Sequence, residues 1–169
     1  MPTAQSIPAL TMFEAIRDAG FTDVVAVPDT HQRSLIDLIV ARGTMPFIQA
    51  ATEDEAIAMT AGLIIGGRRP LLQIQHAGLY ACVNNLRGVG IDGEFPIVLL
   101  IGLLGRDPAK PPSENFDSMV HYAEPLLDAL DIPHFLLDGP DDLPRIAEAA
   151  RLAEVRSGPV AILVGAVTI

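Results

Sequence analysis

The sequence predicts an α/β fold in three layers, with helices on both faces of a mostly parallel, six-stranded sheet. Helical and strand patterns alternate along all 169 residues, so successive strands are joined by helical crossovers. Half of the residues are hydrophobic, but only 5% are aromatic and none is Trp, which leaves Leu, Ile, Val and Ala to build the core. The strand-like runs are apolar throughout, as is typical of parallel strands that are buried on both faces.

Six short apolar runs bounded by turn residues are the predicted strands. They cover residues 24–27, 47–50, 70–75, 95–103, 134–137 and 159–164. The run 95–103 is the most apolar of the six, so we expect it near the centre of the sheet.

The first two helices have recognisable ends. Apolar residues at helical spacing predict a helix over residues 8–19, which Gly20 ends. Thr30 is expected to cap a second helix, which Gly43 closes.

The later helices are predicted from similar signals. Thr52 and Glu55 have the spacing of a capping box, which predicts that a third helix opens here and continues to about residue 66. The remaining predictions are helices over residues 79–87, 121–130 and 141–156, and a proline-containing loop over residues 104–118.

Composition and charge argue against several classes of protein. The net charge of −10 disfavours nucleic acid and anionic membranes as partners. Cys82 is the only cysteine, so an intrachain disulfide and a Cys-rich metal site are both ruled out. The longest apolar run, residues 97–104, is too short to span a bilayer, and residues 1–6 do not resemble a secretory signal. We therefore expect one cytoplasmic domain covering residues 1–169.

A ligand site is expected where the strands end. In parallel α/β sheets, ligands bind outside the carboxyl ends of the strands, near a switch in strand order. The segments that come after predicted strands there are residues 28–33, 51–55, 76–80 and 104–121. They contain His31, His76 and His121, for which solvated or helix-capping roles are the alternative, whereas His134 begins a strand and is interpreted as structural.

Residues 88–93 match the letters of a dinucleotide-binding G-x-G-x-x-G motif. That motif must come after a strand and open a helix, so that the pyrophosphate meets the helix N-terminus. Here a predicted helix precedes it and a strand comes after it, so we interpret it as a turn. The sequence contains neither a phosphate-binding P-loop nor a G-x-S-x-G nucleophile elbow.

The functional interpretation depends most on Glu53. It stands with Asp54 and Glu55 in the first turn of a predicted helix, where acidic residues can simply favour the helix dipole. Glu53 is distinguished by the spacing of the residues after it, because Ala56 stands at +3, small or apolar residues at +6 to +8 and Gly62 at +9. This pattern resembles the helix that carries the activating glutamate in the pyrimidine-binding domain of thiamine-diphosphate-dependent enzymes.

Three further segments resemble sulfopyruvate and phosphonopyruvate decarboxylases, in the same order and spacing. Residues 24–30 (VVAVPDT) resemble their GVPDS strand and loop. Residues 75–86 (QHAGLYACVNNL) resemble their QNSGLGNxxNxL segment, and residues 95–102 (FPIVLLIG) resemble the strand that enters their IGxRG loop. The likeness covers about residues 10–165.

The resemblance implies half of an active site. Relatives that work alone also have a diphosphate-binding domain, marked by Gly-Asp-Gly and a later Asn that hold magnesium and the diphosphate. This sequence has no Gly-Asp-Gly, and its last asparagine is Asn115. Its length is similar to that of the separate α subunits of sulfopyruvate decarboxylases, so the resemblance places Mg²⁺ and the diphosphate on a β subunit that shares the thiamine diphosphate.

The resemblance also implies roles for individual residues. Glu53 would activate the cofactor's aminopyrimidine, and His31 and His76 are the other catalytic candidates. Contacts to the cofactor are expected from Glu53, Pro28, Asp29, Gly78, Leu79 and Asn84, and contacts to the substrate from Thr30, Arg106, Lys110 and His121.

The sequence departs from the relatives at two places in the expected site. His76 and Ala77 stand where they have Asn and Ser, which changes the hydrogen bonding offered to a substrate. Residues 103–106 (LLGR) differ from their WRG loop, so the basic residue is displaced. Arg106, Lys110 and Arg87 are candidates for binding an anionic tail, and ordinary solvated charges are the alternative.

The implied reaction is decarboxylation of 3-sulfopyruvate to sulfoacetaldehyde and carbon dioxide, in a homo- or hetero-oligomer. Alternatives within the same chemistry are decarboxylation of phosphonopyruvate or of a non-sulfonated 2-oxo acid, and carboligation. An alternative of another class is a non-catalytic α/β binding or regulatory domain, in which Glu53 is only a helix cap.

Overall fold

A computed structural model describes residues 5–169 and places six strands in one sheet. The strands are β1 (Asp23–Ala26), β2 (Phe47–Gln49), β3 (Pro70–Gln75), β4 (Val98–Gly102), β5 (His134–Leu137) and β6 (Val160–Val164). Their order is β2-β1-β3-β4-β6-β5, and each neighbouring pair is parallel. Residues 1–4, which belong to the segment inspected for a secretory signal, lie outside the described residues.

Helices cover both faces of this sheet. They are α1 (Ala9–Asp18), α2 (Arg33–Arg42), α3 (Glu53–Ile65), α4 (His76–Ala81), α5 (Val83–Asn85), α6 (Ser118–His121), α7 (Ala123–Ala129) and α8 (Pro144–Arg156). One apolar core lies between the sheet and α1, α2 and α8, and a second lies between the sheet and α3, α4 and α7. The predicted three-layer α/β/α fold with a six-stranded sheet is therefore confirmed.

The central strands are buried along their whole length. Every residue of β4 and β6 is buried, and β4 lies between β3 and β6, as its apolar sequence predicted. Along the chain, β2 is added on one side of β1 and β3 on the other. The order therefore switches between β1 and β3, which is where a ligand site is expected in such a sheet.

The start of α2 differs from its prediction. The helix begins at Arg33 after Gln32, and the Thr30 side chain does not cap it. The chain first makes a tight turn in which the backbone N–H of His31 bonds to the Asp29 carboxylate (2.9 Å). This turn delays the start of the helix by two residues relative to a cap at Thr30. The predicted end is confirmed, because Gly43 is the left-handed C-cap with φ of 60°.

The helix predicted over residues 79–87 is longer and less regular. It begins at His76, directly after β3, and ends in a π-helical segment, Leu86–Ile91. The interpretation of residues 88–93 as a turn is therefore wrong for residues 88–91, which are π-helical, and right for residues 92–93, which lie in a turn over residues 92–94. A Cβ atom at Gly90 would lie 3.3 Å from Leu86 Cδ1 and 3.5 Å from Pro159 Cγ, so a glycine permits close packing here.

The helix predicted over residues 121–130 is α7, which begins two residues later at Ala123, and a separate short helix, α6, ends at His121. The break lies at Tyr122, between α6 and α7. Pro125 explains it, because proline lacks an N–H and its ring would clash with the carbonyl of His121 four residues earlier.

Candidate functional site

The candidate site lies where three neighbouring strands end. The loop after β1, the start of α4 after β3 and the loop after β4 meet at the carboxyl edge of the sheet. Two carboxylates and two histidines from these segments and from α3 form its polar part.

Glu53 is the first residue of α3 and is half-buried. The helix is capped by its neighbours, because Thr52 Oγ1 accepts the N–H of Glu55 (3.3 Å) and the Glu55 carboxylate accepts the N–H of Ala51 (2.6 Å). Among residues 5–169, the Glu53 side chain forms no hydrogen bond. The capping role suggested for the acidic first turn therefore belongs to Glu55, and Glu53 keeps its carboxylate free.

Gly78 in α4 makes room for the Glu53 side chain. A Cβ atom at position 78 would lie 2.6 Å from Glu53 Cδ, a distance that no real side chain tolerates. Leu79, the next residue, is fully buried in the core beneath. The carboxylate of Glu53 thus lies over bare backbone, where a flat ring could approach it.

Asp29 is the second carboxylate, and it is held from several sides. It is 2% exposed, and its Oδ1 accepts the backbone N–H of His31 (2.9 Å) and Gln75 Nε2 (3.1 Å). Its Oδ2 accepts Gln32 Nε2 (2.9 Å). A Cβ atom at Gly102, at the end of β4, would overlap Oδ2. The carboxylate therefore links β1 to β3 and lies tight against β4.

His31 and His76 lie in the same cluster and are both buried. His76 Nδ1 accepts the backbone N–H of Ala77 (3.0 Å), so the proton of its neutral ring is on Nε2. The Nε2 atoms of both rings are buried without a hydrogen-bond partner among the described residues. Such atoms are rare in folded proteins and are often found at functional sites.

Burial lowers the pKa of both histidines below 6.5. For His31, nearby Asp29 and the carbonyls of Val164 and Ala166 oppose this effect, while His76 adds to it. For His76, Asp117 is the main opposing charge. Both rings are therefore neutral at pH 7.

The structure does not bring all three predicted histidines together. His31 and His76 interact in the buried cluster, whereas the His121 ring stacks edge-on against Tyr122, with centroids 4.6 Å apart. His134 lies at the start of β5, and its Nδ1 is 3.2 Å from the carbonyl oxygen of Ile132, which fits its structural interpretation.

The basic candidates have very different surroundings. Lys110 and Arg87 are half-exposed and pair with Asp107 (3.4 Å) and Asp92 (2.6 Å) respectively. Arg106 has a side chain that is only 2% exposed, and it donates through Nη1 and Nη2 to the Asp138 carboxylate. The interpretation as ordinary solvated charge thus fits the first two but not Arg106.

The other predicted contact residues lie at the surface. Pro28, Thr30 and Asn84 are at least partly exposed, and the Asn84 side-chain oxygen accepts Arg87 Nη2 (3.3 Å). Asn85, which was not predicted, reaches α3 by donating to the carbonyl of Asp54 (3.0 Å).

Sequence reasoning missed Gln32 and Gln75, the amides that hold Asp29. Gln32 lies in the first turn of the helix predicted after Thr30, and a polar residue in such a position usually faces water. Gln75 is different, because it is the last residue of a buried strand that is otherwise apolar except at Gln73. A glutamine at that point, directly after which the site begins, was the available signal.

The hydrogen-bonding groups of the site fit the aminopyrimidine ring of thiamine diphosphate. The Glu53 carboxylate lies over Gly78, and the neutral imidazoles of His31 and His76 are buried near Asp29 at the same edge of the sheet. Within residues 5–169 no group of three or more His, Cys, Asp or Glu side chains is placed to hold a metal ion. In the same part of the chain, no helix is long and apolar enough to cross a membrane.

The chain is similar to several known proteins, although no protein-family model matches it. It is 27% identical over 156 residues to the sulfopyruvate decarboxylase α subunit of Methanococcus maripaludis, which covers 92% of each chain. It is 24% identical to the corresponding subunit of Methanocaldococcus jannaschii, over 92% of this chain and 91% of that one. It is also 26% identical to phosphonopyruvate decarboxylase of Streptomyces viridochromogenes, over 86% of this chain but 36% of that one.

A solved structure shares the fold. The 2-oxoglutarate:ferredoxin oxidoreductase of Magnetococcus marinus superposes with a TM-score of 0.67 at 18% sequence identity. The match covers 92% of this chain and 28% of the other, so this fold forms only a part of that enzyme. The resemblance to sulfopyruvate and phosphonopyruvate decarboxylases that the motifs indicated is thus confirmed over nearly the whole of this chain.

Proposed function

We propose that this chain is the α subunit of a two-component, thiamine-diphosphate-dependent 2-oxo acid decarboxylase that converts 3-sulfopyruvate to sulfoacetaldehyde and carbon dioxide. The observation that carries the proposal is the free Glu53 carboxylate over Gly78, at the position where the family has its activating glutamate. The names and coverage of the similar α subunits support the substrate and the two-chain organisation.

Each residue of the site has a part in this reaction. When bound, thiamine diphosphate supplies the electron sink that accepts the electrons left by departing carbon dioxide. Glu53 would hydrogen-bond a ring nitrogen of the aminopyrimidine and share a proton with it, and Gly78 leaves the space for this contact. His76 would donate its Nε2–H to the substrate, and His31 would hold or release a proton beside it. Asp29 would orient the loop that carries His31.

The partner would supply the other half of the site. We propose that residues 1–169 form one pyrimidine-binding domain and that a cytoplasmic β subunit holds Mg²⁺ and the diphosphate. The similar α subunits, which align with this chain over 92% and 91% of their own length, support this division. Four exposed apolar side chains in the segment after β4 support a contact with the β subunit, since they adjoin the site: Leu104, Phe116, Met119 and Tyr122.

Reconstitution with the β subunit tests the proposal. Wild-type and Glu53→Gln chains are each mixed with it, and release of carbon dioxide is measured from sulfopyruvate, phosphonopyruvate and pyruvate. We expect preferential turnover of sulfopyruvate and a loss of at least about 100-fold in Glu53→Gln, because a positioned proton-transfer group contributes that much. Product analysis in the same reactions separates decarboxylation from carboligation.

Glu55→Gln is the matched control. It makes the same chemical change two residues away, and a glutamine at this position can still complete the capping box. We expect activity near that of the wild type. Near-wild-type activity in Glu53→Gln, or equal losses in both variants, would refute the role of Glu53.

A further inference from the structure

A cavity of about 240 Å³ lies between the chain start, the loop after β1, the loop after β4 and the segment after β6. Its lining consists of Ser6, His31, Arg106, Pro108, Gly165, Ala166 and Val167. It offers the space of several waters, at about 30 Å³ each. Through His31 it adjoins the cluster around Asp29.

Two buried polar groups in this lining lack partners. Arg106 Nε and His31 Nε2 are both inaccessible to solvent, and neither has a hydrogen-bond partner among the described residues. Leaving a buried donor unsatisfied costs on the order of 1–3 kcal/mol, and more for a charged group. A ligand that accepts hydrogen bonds would remove this cost.

Arg106 is held in place rather than free to move. Its Nη1 and Nη2 atoms donate to Asp138, and Nη2 also donates to the carbonyl of Lys110 (3.2 Å). A Cβ atom at Gly165 would collide with both partners of this ion pair, so a larger residue directly after β6 would displace their side chains. The guanidinium is thus positioned by Asp138, Lys110 and Gly165, and its Nε–H has no hydrogen-bond partner among the described residues.

The lining contains hydrogen-bond donors and, among the described residues, no carboxylate, and Arg106 and His31 are its titratable residues. A second cavity that Arg106 also lines, of about 340 Å³, contains Lys110 but three carboxylates, Asp138, Asp141 and Asp142, and is less suited to an anion. Asp138 already accepts from Nη1 and Nη2 of Arg106, so the donors that this lining offers to an oxyanion are the Arg106 Nε–H and the Ser6 hydroxyl.

We propose that this cavity binds a small oxyanion through Arg106 and Ser6, and that this oxyanion is the sulfonate or phosphonate tail of the 2-oxo acid substrate. The substrate assignment rests on the proposed function, whereas the anion site itself does not. Of the basic candidates, Arg106 would then set substrate class, and the exposed, paired Lys110 would not.

Inorganic sulfate is the probe for the anion site, with the full chain in a calorimeter. Arg106→Lys keeps a positive charge beside Asp138 but removes the Nε–H, and Ser6→Phe fills the cavity from an exposed position. Both variants are expected to weaken sulfate binding at least about 10-fold, as loss of a charge-assisted hydrogen bond does. Arg33→Gln, an exposed arginine paired only with Asp37, is the control and should bind as the wild type does.

Absence of sulfate binding to the wild-type chain, or equal binding in all four proteins, overturns the anion site. Thermal melts check that each variant is folded, and Ser6→Phe decides the question alone if Arg106→Lys does not fold. This measurement needs no enzymatic activity, so its failure is distinct from failure of the proposed function.

Kinetics with the β subunit test the substrate assignment. Sulfate is expected to compete with sulfopyruvate, and Arg106→Lys should raise KM for sulfopyruvate at least about 10-fold while changing KM for pyruvate little, because pyruvate has no second anionic group. Non-competitive inhibition by sulfate, or equal effects on both substrates, would show a separate anion site and overturn the substrate-tail assignment.

Discussion

Two carboxylates lie against glycines at the carboxyl edge of the sheet, and they differ in the contacts that hold them. Asp29 accepts three hydrogen bonds and is wedged against Gly102, so its orientation is set by the protein alone. Glu53 lies over Gly78 with no hydrogen bond from residues 5–169. The contacts of Asp29 suit a residue that positions the site, and the absence of such contacts at Glu53 suits a residue that binds a ligand.

Gly78→Ala tests whether the space beside Glu53 matters. The new Cβ would lie 2.6 Å from Glu53 Cδ, so the carboxylate must move by about an ångström. Since small displacements of a reacting group can cost about 100-fold in rate, we expect a loss of activity of this order in the complex with the β subunit.

Gly62→Ala is the control for this change. Gly62 lies in α3 with open space around its Cβ position, so alanine should leave activity intact and stabilise the chain by up to about 1 kcal/mol. Full activity in Gly78→Ala would mean that the position of Glu53 over this glycine has no role.

The two buried histidines predict how stability depends on pH. Burial lowers the pKa of His31 and His76 in the folded chain below the ordinary value of 6.5, against the opposing charges of Asp29 and Asp117. Below pH 6.5 the unfolded chain therefore binds more protons than the folded chain, and stability falls as the pH falls. Urea unfolding between about pH 7.5 and about pH 5 should show this decline.

His76→Gln should reduce the slope of that decline, because one of the two groups with a lowered pKa is gone. A pH dependence that is equally steep in the variant, or stability that rises as the pH falls below 6.5, would contradict the burial of neutral histidines.

At the scale of elements, the sequence was most informative where the signals were local. The burial of β3, β4 and β6 is explained by continuous apolar runs, and the start of α3 by its capping box. Local patterns were insufficient where tertiary contacts decide the outcome. The delayed start of α2 depends on Asp29, and the π-helical segment after α5 packs on Pro159, far along the chain.

The candidate site, like the helices and strands, was predictable only where its signals are local. The pattern around Glu53 and the loops after β1 and β3 could be located from their motifs. The contacts that hold Asp29 could not be located from motifs. Gln32, Gln75 and Gly102 come from three segments that only the strand order brings together. The burial of Arg106 likewise depends on Asp138, which lies after a different strand.

Thr52→Ala tests the capping box at the start of α3. The variant removes the acceptor for the Glu55 N–H, and we expect the free energy of unfolding in urea to fall by about 1 kcal/mol. Thr52→Ser keeps the hydroxyl and is the control. If the two variants are equally stable, the cap contributes nothing to the helix that carries Glu53.

At the scale of the whole molecule, the segment after β4 contains four exposed apolar residues. Phe116 is fully exposed at 103%, in the same segment as Leu104, Met119 and Tyr122. Tyr80 in α4 ties this segment to the site by donating to the carbonyl of Met119 (2.7 Å). A surface of this kind is typical of a protein–protein contact.

Phe116→Asp should therefore weaken association with the β subunit at least about 10-fold while leaving the melting temperature of this chain unchanged. Binding is measured by calorimetry between the purified chains. Val155→Asp changes an exposed apolar residue of α8 and is the control. Equal affinity in both variants would place the partner on another surface.

The central claim is that Glu53 activates thiamine diphosphate, and the most direct measurement of it needs no substrate. The exchange of the C2 hydrogen of the bound cofactor for deuterium is measured by NMR in the complex with the β subunit. We expect exchange in Glu53→Gln to be slower than in the wild type by about 100-fold or more, with cofactor still bound. Equal exchange rates in the two complexes would contradict this role of Glu53.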